Sequence, residues 1–127
     1  MPKNQPVLTV DLKKKRIRLY KHVLRLLDDP EYVQFLINPE KKIFIVRKTD
    51  EKGQSARKIY WTILNDNHQC CEFYSQYFVE ALQKLCFGAQ NEKTYRVIGW
   101  FSEKHRFVVF NFNDSEPIEY EAEAVGT

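Results

Sequence analysis

The chain has 127 residues, of which 43% are hydrophobic and 29% charged, with a net charge of +3. That is one domain's worth of chain, able to bury a core without staples, and no apolar run approaches the ~18 residues that would cross a bilayer. The first residues, Met-Pro-Lys-Asn-Gln-Pro, lack the apolar stretch of a secretory leader, and three cysteines, two of them adjacent at Cys70 and Cys71, make a poor disulfide framework. A single cytoplasmic domain over 1–127 is expected, without disulfides or membrane contact.

In chain order, Val7 to Leu12 reads as a strand, and Arg16 to Tyr20 alternates charge with apolar side chains as a half-buried strand does. A short helix follows, with Val23, Leu26 and Leu27 on one face and Lys21, Arg25 and Asp28 on another; Asp28-Asp-Pro30 closes it. Tyr32 to Ile37 and Lys42 to Arg47 form a hairpin around Asn38-Pro-Glu-Lys41, and a polar loop leads into a strand over Arg57 to Leu64.

The turn-rich Asn65-Asp-Asn-His68 marks a join, after which the order restarts. Gln69 to Tyr74 is a strand, and Ser75 is placed to cap a helix whose apolar stripe is Phe78, Ala81, Leu82, Leu85 and Cys86. Gly88 ends that helix. Lys93 to Phe101 and Arg106 to Phe112 make a second hairpin, and Asp114-Ser-Glu-Pro117 turns into a strand from Ile118 to Val125.

The stretch from Tyr32 to Asp50 matches Tyr95 to Asn113 without a gap: Tyr32 meets Tyr95, Glu40 meets Glu103, Lys41 meets Lys104, Phe44 meets Phe107 and Val46 meets Val109. The expected fold is therefore α+β, with duplicated β-α-β-β-β units over 16–64 and 69–125 covering each other about a pseudo-twofold axis. Two such units have mostly antiparallel sheets and two helices.

The segment Phe73-Tyr-Ser-Gln-Tyr-Phe-Val-Glu-Ala-Leu-Gln-Lys-Leu85, within that doubled order, resembles the strand and helix of a bacterial DNA sliding-clamp domain. The resemblance implies helices facing DNA and subunits joined through edge strands. This chain matches one clamp domain in length and lacks the proline-arginine ending of the clamp's last strand. A second resemblance covers Arg16 to Arg47, which is similar to the strand, helix and hairpin of AbrB-type swapped-hairpin regulators, and in tandem to the MraZ branch.

Charge is divided along the chain. Residues 1–58 hold 15 Lys and Arg against 7 Asp and Glu, and residues 59–127 hold 5 against 10, so a half of +8 precedes a half of −5. The split suits an anionic partner for the first half, or charge complementarity between copies in a homo-oligomer. Lys13, Lys14, Lys15, Arg16 and Arg18, with Lys21 and Arg25 on the first helix, are the candidates for phosphate contact; the plainer alternative is a solvated turn and a guarded strand edge. Trp100, Phe110 and Phe112 are the candidates for a protein-interaction surface, with Phe107 and its alternates in the core.

No catalytic motif, cofactor site or small-molecule site is read. His68-Gln-Cys-Cys71 lacks the spacing of a zinc site, and Cys86 reads as core. The leading expectation is a small non-enzymatic DNA-associated protein of weak sequence specificity. An AbrB-like regulator and a protein-interaction module without DNA are the alternatives.

Overall fold

Three turns of one design shape the sheet. In each, four residues link paired strand ends: Asp11 faces Arg16, Asn38 faces Ile43 and Ser102 faces Phe107. The side-chain oxygen of the first residue accepts the amide three positions on, with Lys14 donating to Asp11 (3.0 Å), Lys41 to Asn38 (3.1 Å) and His105 to Ser102 (3.3 Å). The fourth loop residue is left-handed, at φ 54° for Lys15 and 58° for Lys42 and Arg106. That conformation returns the chain with the twist its strands require.

The computed structural model describes residues 5–64 and 69–118. The strands are β1 (Val7–Asp11), β2 (Arg16–Tyr20), β3 (Tyr32–Asn38), β4 (Ile43–Thr49), β5 (Arg57–Lys58), β6 (Cys70–Tyr74), β7 (Thr94–Ser102), β8 (Phe107–Asn111) and β9 (Glu116–Ile118). Three α-helices join them: α1 (Lys21–Leu26), α2 (Trp61–Leu64) and α3 (Gln76–Leu82), the last continued by a π-helical turn over Gln83–Phe87. Every pairing is antiparallel, in the order β5-β3-β4-β8-β7-β1-β2-β6, with β9 also on β7. The fold is thus α+β, a nine-stranded sheet curled into a half-barrel.

One apolar cluster fills the curl. Phe44, Val46, Val108 and Phe110 come from the paired hairpins, Leu8, Val10, Ile17 and Leu19 from β1 and β2, and Val23, Leu24, Val79 and Leu82 from α1 and α3. Gly99 lies where β7 leaves β1 and joins β8. A side-chain carbon there would stand 2.7 Å from the Phe110 ring, so no larger residue fits without displacing the core.

The register differs from the spacing of 63 in the sequence match. With Asn38 facing Ile43 and Ser102 facing Phe107, the hairpins correspond at a spacing of 64. A slip of one residue exchanges the two faces of a strand. Phe44 therefore corresponds to Val108 and Val46 to Phe110, all four buried, while Phe107 is only half-buried and stacks on His105. The aligned identities Phe44 with Phe107 and Val46 with Val109 join opposite faces.

Two other elements are corrected. The strand expected over Arg57 to Leu64 is only Arg57–Lys58, and the chain then winds into α2. Trp61 Nε1 donates to the Pro30 carbonyl (2.7 Å) while Leu64, on the same helical face, is buried. Leu26 is half-buried, and Leu24 takes the core position. The join at 65–68, and the expected last strand beyond Ile118, lie outside the described residues.

Candidate functional site

The half-barrel has two ends, β5 and β6, and they do not pair with each other. On β6, Gln69 O accepts from Lys21 N (2.9 Å) and Ser75 N donates to Lys15 O (3.0 Å). This fixes the odd-numbered residues as hydrogen-bonded partners of β2, so the backbone groups of Cys70, Glu72 and Tyr74 point away from the sheet. The edge opens onto a cleft of about 540 Å³ lined by Lys58, Tyr60, Ile63, Leu64 and residues 69–73.

Arg57 crosses the open side. Its Nη2 donates to Ser75 Oγ (3.1 Å), and its guanidinium lies 5.0 Å from the Phe35 ring centre and 5.3 Å from that of Phe78. The contacts with both rings are cation–π in geometry. Nε is buried without an acceptor, and burial lowers the guanidinium pKa. Among the described residues no carboxylate pairs with it. Beyond Arg57 lies a second cleft of about 450 Å³, between the free edge of β3 at residues 34–37 and Tyr77, Phe78, Ala81 and Leu85 of the helix.

Four of the five large apolar side chains left exposed among the described residues gather along this seam; the fifth is Trp100 on β7. Tyr60 and Ile63 line the first cleft, Tyr77 lines the second and Tyr74 stands at the end of β6. None of these four, nor Arg57, was singled out from the sequence. One signal existed: Tyr77 falls outside the stripe of Phe78, Ala81, Leu82 and Leu85, so an aromatic ring on a helix's polar side was visible beforehand.

The expected phosphate contacts are dispersed and largely engaged. Arg16 bonds Asp11 (3.1 Å) and Glu72 (3.5 Å), Arg18 bonds Glu72 (2.8 Å), and Arg25 bonds Asp29 (2.8 Å) while covering Trp61. Partial burial opposes ionisation of Glu72, but the Arg18 hydrogen bond and the charges of Arg16 and Arg18 outweigh it and hold the carboxyl below its usual range. Lys15 Nζ donates to Gln83 Oε1 (2.8 Å). Lys13 and Lys14 are exposed at the 12–15 turn, and Lys21 is half-buried.

The expected protein surface is divided too. Trp100 is exposed, but Phe110 (0%) and Phe112 (3%) are core residues. The one-residue register shift explains the inversion, since the alternate positions from Val108, not those from Phe107, face inward.

Cys70 and Cys71 lie beside the first cleft, and burial raises both thiols, Cys71 to about 12. Burial also raises Cys86, which packs against the core. Among the described residues no group of three or more His, Cys, Asp or Glu is placed to hold a metal ion; His68 lies outside them. No helix there is long and apolar enough to cross a membrane. No protein-family model, curated protein or solved structure matches the chain.

Proposed function

We propose that the protein is a binding module that captures an extended polypeptide as an added strand on β6. The observation that carries this reading is the open seam: β6 turns the backbone groups of Cys70, Glu72 and Tyr74 outward, beside a cleft rimmed by Tyr60 and Ile63. An unpaired strand edge supplies main-chain hydrogen bonds, and apolar pockets beside it select alternate side chains of the incoming segment. β1 occupies the corresponding place on the other side, between β7 and β2, and it is five residues long where β5 is two. A captured strand would fill the gap.

The same comparison supports a doubled unit as the frame. Arg18 pairs with Glu72 and Ile45 with Val109, each at the centre of an antiparallel pairing between corresponding strands. In that reading, β2 with β6 and β4 with β8 would meet about one twofold-like relation. The clamp-like resemblance remains part of this proposal, as an architecture in which strand edges make the contacts.

A selection from a library of extended seven-residue peptides tests the function. The expected binders alternate apolar with polar residues and slow hydrogen exchange at the Cys70, Glu72 and Tyr74 amides. Ile63→Asp, at an exposed position, should abolish binding while leaving the fold intact. Binding that protects other amides, or that ignores Ile63→Asp, would overturn the reading. DNA contact stays as a second reading on one observation: Lys13 and Lys14 stand exposed together in a turn closed by the Lys14 amide on Asp11.

A further inference from the structure

We infer that the strand taken up by the seam is the acidic segment 119–125 of a second copy of this chain, an inference that rests on strand capture at β6. The seam has cations on both sides: Arg57 and Lys58 come from the β5 side, and Arg16 and Arg18, already paired with Asp11 and Glu72, stand on the β6 side. Arg57 lies on the inner face against Phe35, Phe78 and Ser75, so Lys58, at the exposed rim, is the cation placed to meet an acidic row on the outer face.

The segment Glu119-Tyr-Glu-Ala-Glu-Ala-Val125 has the complementary chemistry. Its period of two puts Glu119, Glu121 and Glu123 on one side of an extended strand and Tyr120, Ala122 and Ala124 on the other. Laid along β6, the glutamate row would lie on the outer face with Lys58, Arg16 and Arg18, and the other row on the inner face with Phe73, Leu64 and the Arg57 guanidinium. The division between a basic first half and an acidic second half then becomes a contact between copies.

Reach along the sheet argues against the same copy. Ile118 faces Thr94, Thr94 faces Asp11, Asp11 faces Arg16 and Arg16 faces Tyr74, so four strand spacings separate the end of β9 from β6. At about 4.8 Å per spacing and about 3.3 Å per extended residue, roughly six residues are consumed in crossing. Of 119–125, too few remain to line the five residues of β6. A segment from one copy entering the seam of the next is a head-to-tail contact, which closes into a ring or continues as a filament.

Two measurements on the full chain test this. Sedimentation should show the wild type growing in mass with concentration, and Glu119→Lys/Glu121→Lys/Glu123→Lys should remain monomeric at the same concentrations. A labelled peptide of residues 118–127 should bind that reversed-tail protein. Adding Lys58→Glu, at an exposed position, should weaken the peptide by about tenfold or more. A wild type that stays monomeric while the peptide binds would overturn the second copy as donor. If library peptides bind and the 118–127 peptide does not, the acidic segment is overturned and strand capture stands; if no peptide binds, both fall.

Discussion

Arg57 and Ser75 join the β5 and β6 ends of the half-barrel, with Nη2 donating to Oγ at 3.1 Å. The same Ser75 oxygen accepts the Phe78 amide (3.3 Å) and so caps α3. One hydroxyl therefore fixes both the helix start and the cation at the centre of the seam. Ser75→Ala should destabilise the protein by about 0.5–2 kcal/mol, the usual range for losing such a cap. Urea denaturation measures it, and an unchanged midpoint would show that neither bond matters to the fold.

Gln83 provides a second test. Its Nε2 donates to the carbonyls of Ala89 (3.1 Å) and Asn91 (2.7 Å), its Oε1 accepts from Lys15, and the residue is buried. Removing a buried amide leaves those partners unsatisfied, so Gln83→Ala should cost about 1–3 kcal/mol. Leu82→Ala should cost about 2–5 kcal/mol through the cavity it leaves. Thermal unfolding of the two variants compares them directly; a harmless Gln83→Ala would remove that side chain from the interior.

The apolar stripe of α3 was legible because its spacing is local, and Ser75 was legible as a cap for the same reason. Gln83 was not, since its partners come from the chain beyond Gly88 and from the 12–15 turn. Hairpin positions were legible to within a residue or two, but a single-residue slip was enough to turn Phe110 and Phe112 from core to surface. The basic run looked free because Glu72, which pairs with Arg16 and Arg18, is more than fifty residues away in sequence. The seam was invisible, because nothing local says which strand ends a sheet leaves unpaired.

Cys71 should give the protein an alkaline limit. Burial is the main cause that raises its thiol to about 12, while an unfolded thiol ionises near ~8.5. The folded form thus holds the proton more tightly, and this contribution is complete below ~8.5 and declines as pH rises from there toward 12. Cys71→Ser should flatten that part of the stability curve. Alkylation mapped by mass spectrometry at pH 8 should find Cys71 unreactive in the native protein and all three thiols reactive after unfolding; native labelling of Cys71 as fast as in the unfolded chain would contradict its burial.

Salt dependence separates the peptide-binding reading from DNA binding. Each phosphate contact on duplex DNA releases condensed counterions and contributes about −0.9 to the slope of log affinity against log salt. If all seven cations expected from the sequence met phosphates, the slope would be roughly −6. Arg16, Arg18 and Arg25 are instead held by Asp11, Glu72 and Asp29, and Lys15 is turned to Gln83. Lys13, Lys14 and Lys21 remain, so any duplex binding should have a slope near ~−3 and fall in the non-specific range of about 10⁻⁴ to 10⁻⁶ M at physiological salt. Lys13→Glu/Lys14→Glu should then abolish most of it with little effect on folding, because both side chains are exposed. A fluorescence-anisotropy salt series on wild type and variant decides the matter. A slope near ~−6 would mean that the Glu72 pairs open on DNA, and would return the basic first half, rather than the seam, to the centre of the protein's function.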